Sequence, residues 1–250
     1  MTTRRKLGAF VAAGAMLAGL IAFDSGRAFD WVSSTVSTVA ATGGYTPTPA
    51  ADSSPSSASL DALFGSVNVV AKLPNVPGYD RECGKGDGCV FGASWTDKYV
   101  GAMARNGCDT RNDVLKANLS NPVFKPGTGD CKVVGGTLFD SYTGKQINFS
   151  TANPSGIQID HVFALSRAWD AGASTWTVEQ RVNFANDTEV NLIAVEGKTN
   201  QSKSDQGLDT WLPPNSAYHC EYSKRYLTVA AKYGLSVTTG DLNAARKACA

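Results

Sequence analysis

Gly156-Ile157-Gln158-Ile159-Asp160-His161-Val162-Phe163-Ala164-Leu165 is the stretch whose reading decides the fold. Ile157 to Val162 alternates strictly, with Ile157, Ile159 and His161 on one face of a strand and Gln158, Asp160 and Val162 on the other. The strand carries one of the chain's two histidines, beside an aspartate, to the end of an apolar run. Alternation sends Asp160 and His161 to opposite faces. A site that uses both therefore predicts that the strand ends, twists or bulges there.

Downstream, Asn191 to Val195 is a short apolar strand, Glu196-Gly197 a turn, and Thr199 the start of a helix on which Asn200 and Lys203 share a face at spacing i, i+3. Between the two strands, Phe163 to Ala171 has helical character and stops at Gly172. A second helix opens at Thr177, with Gln180 completing a capping box, and breaks at Asn186-Asp187. The order is strand, insert, strand, helix.

Upstream, Lys132 to Leu138 and Lys145 to Phe149 predict a β-hairpin around Asp140-Ser141-Tyr142-Thr143-Gly144. Trp95 to Met103 reads as helical, and the polar turn from Arg105 precedes a short helix capped by Asn112 or Asp113. Towards the end, Trp211-Leu212-Pro213-Pro214 stops the Thr199 helix and Cys220 to Tyr233 is amphipathic and closed by Gly234. Thr238 or Thr239 caps a last helix that ends at Cys249. No internal repeat is visible, and the fold class is α+β.

The start of the chain differs in kind. Arg4-Arg5-Lys6 precede an apolar segment from Leu7 to Phe23, and Asp24 to Ala28 provides a small-residue end. Residues 1–28 therefore read as an export signal, with a retained signal anchor, and so membrane contact through an uncleaved segment, as the alternative. Residues 29–59 are rich in Ser, Thr, Ala and Pro and form a linker that cannot build a core. Residues 60–250 form the folded domain.

Six cysteines, all after the signal, fit disulfides in an oxidising compartment, and no CxxC pair points to a zinc cluster. Closeness in sequence favours Cys83 with Cys89, Cys108 with Cys131 and Cys220 with Cys249. Removing residues 1–28 turns 23 basic and 22 acidic residues into 19 and 21, a net charge near −2. Bulk charge does not advertise a polyanionic partner, so any such attraction is local.

The residues suit one kind of chemistry. Hydrolysing a phosphodiester needs an activated water, charge stabilisation on the phosphate and help for the leaving oxygen, which a hard divalent cation and a base together supply. His161 is the candidate base, since an imidazole titrating near pH 6.5 is largely neutral at pH 7. Asp160 offers a carboxylate oxygen and Asn200 an amide oxygen to a metal, while Asn191 can orient the imidazole. No glycine-rich phosphate loop or serine elbow supports an NTPase or an esterase.

Asp160-His161, Asn191 and Asn200 resemble the HNH endonucleases, and the nine-residue step from Asn191 to Asn200, followed by Lys203-Ser204-Asp205, is similar to the nuclease domain of RNA-guided DNA-cleaving effectors. Asn106 to Leu115, Asp140 to Lys145, Ala168-Trp169, Phe184 to Asp187 and Trp211 to Pro214 resemble exported bacterial HNH-family proteins related to the HNH domain of GmrSD-type nucleases. The resemblance spans Tyr79 to Cys249. It implies a ββα-metal (His-Me finger) core with additional helices and a β-hairpin. It also implies a metal on Asp160 and Asn200, His161 as general base, Asn191 as its orienter and Lys203 on phosphate, with Arg111 a second phosphate candidate. With Asn at the third signature position, the expected cofactor is Mg2+, with Mn2+ as alternative.

The expected protein is a secreted or cell-surface endonuclease of little sequence specificity, acting on DNA, with RNA as a further substrate. Blander readings stand beside each assignment: an Asp-His pair is commonly structural, Asn191 a turn residue, Asn200 a helix-terminal residue, Lys203 a solvated charge and Arg111 part of a pinned turn. The competing function is an inactive HNH-like module that binds cell wall or a partner.

Overall fold

A computed structural model describes residues 57–82 and 89–250 of the chain. The expectations for residues 1–28 and for nearly all of the linker lie outside the described residues, as does Cys83 and therefore its pairing with Cys89. Among the described residues, no helix is long and apolar enough to cross a membrane.

The centre of the fold is an antiparallel ribbon of β5 (Ile157–His161) and β6 (Leu192–Glu196). Their register runs unbroken from Ile157 opposite Glu196 to His161 opposite Leu192. Leu192-Ile193-Ala194-Val195 is buried throughout because the ribbon lies between two cores. Ile157, Ile159, Leu192 and Ala194 pack into one with Val114, Leu115, Leu138 and Phe149. Ile193 and Val195 pack into the other with Phe163, Phe184, Tyr222 and Tyr226. A strand buried on both faces reads as a continuous apolar run, which is the signal seen here.

The first core is roofed by a three-stranded antiparallel sheet in the order β2 (Leu119–Phe124), β3 (Val133–Asp140), β4 (Lys145–Ser150), and by α2 (Thr110–Asn118). The hairpin of β3 and β4 forms where the sequence placed it, but β2 was not expected. Pro122 and register shifts around Val123 remove the alternation by which β2 would have been recognised. Helix α2 starts one turn earlier than read. Asp109 is its cap, accepting the Asn112 N–H at 2.9 Å.

Trp95 to Met103 is not a helix. The Asp97 carboxylate accepts from the backbone N–H groups of Asn106 and Gly107, and the Thr96 hydroxyl from that of Lys98. Such local side-chain bonds offer the backbone a substitute for helical pairing. A positive φ at Trp95 and at Arg105 completes the irregular path.

The second core is built by α3 (Leu165–Asp170), α4 (Val178–Ala185), α6 (His219–Tyr233) and α7 (Thr239–Ala248), joined by α1 (Ser57–Gly65). The capping box of Thr177 and Gln180 opens α4, and a second one, Thr238 with Asp241, opens α7. Gly234 closes α6 in the left-handed conformation at φ 63°, where a side chain would be strained. A short parallel pair, β1 (Asn68–Val70) with β7 (Ser236–Thr238), ties the start of the domain to its end.

After β6 the chain enters α5 (Gly197–Lys203) with no intervening turn, because the Glu196 carboxylate caps the helix on Thr199. Gly197 is required at this corner. A Cβ there would stand 2.0 Å from the Ser155 carbonyl oxygen. Helix α5 ends at Lys203, with Ser204 at φ 52°, well before Trp211.

Cys108–Cys131 and Cys220–Cys249 are paired as expected, with sequence separations of 23 and 29 residues. Loops of this length predict roughly 3 kcal/mol of stabilisation each through the unfolded state. The Cys220→Ser/Cys249→Ser protein should lose about that amount in urea denaturation, since the bridge ties the start of α6 to the end of α7.

Candidate functional site

Asp160 and His161 leave the ribbon at its last two pairs. Strict alternation holds, and the strand neither bulges nor slips. Asp160 points toward Tyr142 and His161 toward Ala185. They meet because both line a cleft of about 240 Å³ at the strand end, together with Arg81, Asn200, Ser166 and Asp205. Of the three expected possibilities the strand ends here, at His161, and no twist or bulge is needed, since a strand terminus exposes both faces to one opening.

Asp160 is 5% exposed, and each of its carboxylate oxygens accepts one hydrogen bond. Its Oδ1 accepts from the Lys203 ammonium at 2.9 Å and its Oδ2 from the Tyr142 hydroxyl at 2.6 Å. Burial pushes the carboxyl above its ordinary range, while Lys203 and Tyr142 pull it back. Lys203 is 0% exposed, and its ammonium also donates to the His161 carbonyl at 2.8 Å. It therefore holds the strand end from beneath and does not line the cleft, contrary to the expectation of a phosphate contact. Arg111 is also elsewhere. It donates to the carbonyls of Pro154 and Ile157, at the other end of β5.

His161 is 8% exposed, and its Nε2 lies 2.9 Å from the Ala185 carbonyl oxygen. A carbonyl can only accept, so Nε2 carries the proton and Nδ1 is the nitrogen with a free lone pair in the neutral ring. Trp95 stacks on the imidazole, ring centroids 5.7 Å apart and 15° from parallel. Burial drives the imidazole pKa down to about 3, with the charges of Arg81 and Lys203 acting in the same direction against the Ala185 bond. The ring is neutral at pH 7 because it is dry, where its unperturbed pKa would leave it only mostly neutral.

Asn191 does not touch the imidazole. It is 0% exposed, and its Oδ1 accepts from the Phe163 N–H at 2.9 Å while its Nδ2 donates to the Phe184 carbonyl at 3.4 Å. Phe163 follows the His161 strand and Phe184 precedes Ala185. The amide therefore clamps the backbone on both sides of the His161–Ala185 bond. Asn191 is delivered by a loop folded on Asp187, whose Oδ1 accepts the N–H groups of Glu189 and Val190 and whose Oδ2 takes Lys232 and Tyr233.

Asn200 reaches back from α5 and donates from Nδ2 to Gln158 Oε1 at 2.9 Å. The face shared with Lys203 is the one read from spacing, and both residues land on β5. Among the described residues no group of three or more His, Cys, Asp or Glu is placed to hold a metal. Of the expected metal donors, the Asp160 carboxylate and the Asn200 amide both line the cleft, and the Asp205 carboxylate lines it as well.

Several residues of the site were not found from sequence. Tyr142 is completely buried, and it is presented by the Asp140 carboxylate, which folds the hairpin turn through Thr143 and also accepts the Glu196 N–H at 3.2 Å. Within the Asp140 to Lys145 motif, Asp140 thus anchors the turn that presents Tyr142. Trp95 and Arg81 lie in irregular segments with no periodicity to mark them. His219 binds the Pro213 carbonyl at 2.7 Å.

Residues 109–244, more than half of the chain, match the family model of the GmrSD restriction endonucleases, C-terminal domain. A protein of Arthroderma benhamiae described as an uncharacterized secreted protein is 35% identical over 209 residues, covering 83% of this chain and 90% of the relative. No solved structure matches.

Two stability measurements check this geometry. Lys203→Met strips a buried carboxylate of its counter-charge and is expected to cost about 3–5 kcal/mol in urea denaturation, whereas Asp160→Asn/Lys203→Met costs clearly less than the two single losses combined. For His161, the folded pKa lies below the unfolded one, so acid favours the unfolded state. Stability from the neutral ring is fully present above about pH 6.5 and is lost as pH falls towards 3. From pH 7 to pH 5 the wild type should lose on the order of 2 kcal/mol more than His161→Gln.

Proposed function

Because the chain belongs to the family of the GmrSD restriction endonuclease C-terminal domain, we propose that it is an exported metal-dependent endonuclease that hydrolyses phosphodiester bonds in DNA, and in RNA as a further substrate. The observation that carries the reading is the Nε2–H bond from His161 to the Ala185 carbonyl, which leaves Nδ1 as the proton acceptor of a ring that lines the same cleft as Asp160 and Asn200. A ring fixed in this tautomer at a cleft wall is what a general base requires. The succession β5, β6, α5 fits a ββα-metal core, with its histidine from the first strand and its asparagine from the helix.

In this mechanism Nδ1 of His161 removes the proton from a water that attacks phosphorus. Trp95 and the Ala185 carbonyl hold the imidazole plane, and Asn191 holds the preceding carbonyl, that of Phe184. A dry imidazole is a weak base when the cleft holds only solvent. A phosphate anion entering beside it favours the protonated ring and so raises its basicity at the moment of use.

Asp160 and Asn200 would hold a divalent cation, which supplies charge stabilisation on the phosphate and assistance to the leaving oxygen. The donor set fits such an ion. Each Asp160 oxygen has accepted one hydrogen bond and keeps a second lone pair, and Mg2+ commonly binds through one or two protein oxygens, waters and substrate phosphate. Among the described residues, no cluster of His and Cys of the zinc type is assembled there. The ammonium of Lys203 shares the carboxylate, so affinity for the metal without substrate is expected to be weak.

The family also supports a nucleic acid substrate without identifying which one. Secretion is supported by the description of the Arthroderma relative and by the signal-like residues 1–28.

Plasmid DNA incubated with the disulfide-intact protein and Mg2+ or Mn2+ should be nicked and linearised. EDTA should abolish this, and His161→Ala should slow it at least about a hundredfold. Undiminished cleavage by His161→Ala would remove the mechanism. No cleavage with either metal would favour the inactive module that binds cell wall or a partner.

A further inference from the structure

The cleft holds an acidic and an uncharged wall, yet its proposed substrate is an anion. Asp160 is neutralised by Lys203, and Asp205 accepts a hydrogen bond from Ser166 at 3.1 Å. The two cations that sequence reading offered for phosphate are both committed elsewhere, Lys203 beneath the strand and Arg111 at its far end. Among the described residues that line the cleft, one cationic side chain is present, and it is Arg81.

Arg81 differs from the half-buried Arg167 and Arg225 in how it is used. Arg167 is bound to Asp241 and Tyr226, and Arg225 to the carbonyls of Val190 and Leu192. Arg81 is exposed, and among the described residues its guanidinium has no hydrogen bond or ion pair. It borders both the polar cleft and the smaller apolar recess on the other side of His161, which Phe91, Trp95 and Leu165 line. The two residues that precede it are anchored. Tyr79 packs against Phe91 and Trp169, and the Asp80 carbonyl accepts the Val90 N–H at 3.0 Å. An unused guanidinium on an anchored stem at the mouth of a cleft is suited to a phosphate, which it can grip through two parallel N–H bonds.

We propose that Arg81 binds the backbone phosphate of the nucleic acid that is cut, placing it against His161, so that a residue outside the matched span 109–244 completes the site. This rests on the endonuclease reading. The segment around Tyr79 and Arg81 then acts as a substrate clamp added to the ββα unit, which by itself offers the cleft no free cation.

The test compares wild type, Arg81→Ala and Arg81→Lys on a labelled DNA duplex with Mg2+, measuring kcat/KM across a series of salt concentrations, with melting temperature as the control for folding. Expected for Arg81→Ala are a loss in kcat/KM of about tenfold or more, a salt slope shallower by about 0.9 and an unchanged melting temperature. Arg81→Lys should keep the wild-type slope and recover part of the rate, since it restores the charge without the fork. Should Arg81→Ala melt below wild type, Arg81→Gln carries the same two readouts. A wild type that cleaves, with a charge-removed variant equal to it in rate and slope, overturns the clamp and leaves the nuclease intact. A wild type that neither cleaves nor binds the duplex overturns both.

Discussion

A buried lysine holds the site together. The Lys203 ammonium has no exposed surface and is satisfied by the Asp160 carboxylate and the His161 carbonyl. An isolated charge at that depth would cost several kcal/mol, so the last turn of α5 must lie against the last two residues of β5. Everything nearby follows from this fixed point: the cleft forms where strand and helix ends coincide, and Asn200, one turn earlier on α5, is carried onto the same strand. The aspartate has a structural duty as well as the proposed metal-binding one, and the two duties compete for one carboxylate.

Around that pair the polar groups are arranged in relays. Asp140 folds the hairpin turn that presents Tyr142, and Tyr142 bonds to Asp160. Asp187 folds the loop that presents Asn191, and Asn191 clamps Phe163 and Phe184 on either side of the His161–Ala185 contact. Each relay begins in a carboxylate that accepts backbone N–H groups within a turn. The functional side chains are therefore carried on rigid supports, although two of the supports are loops. Few of these side chains have rotameric freedom left, as expected for a site that must fix a proton acceptor at one nitrogen.

The ribbon of β5 and β6 explains why the site could be sensed from sequence. It is buried on both faces, so its apolar run is long for its length, and a histidine and an aspartate within such a run stand out. The capping boxes of Thr177 and Thr238 and the glycine that ends α6 were equally legible, since each is a local bond or a local φ requirement. Trp95 to Met103 misled because its apolar residues imitate helical spacing, while Asp97 and Thr96 bind the backbone in other ways.

By itself the sequence determined the order of strand, insert, strand and helix, the pairing of Cys108 with Cys131 and of Cys220 with Cys249, and the four residues Asp160, His161, Asn191 and Asn200 worth placing. The order and the pairings depend on period, caps and closeness along the chain, whereas the four residues stood out by their chemistry and by resemblance to the HNH endonucleases. Only the tertiary structure decided what those residues touch. It sent Lys203 inward and Arg111 to the far end of the strand, gave the imidazole to Ala185 in place of Asn191, and brought Arg81 to the cleft and Trp95 onto the imidazole across a long sequence gap. The direction of a polar side chain is set by which buried partner is within reach, and contacts between distant segments leave no periodic mark on the chain.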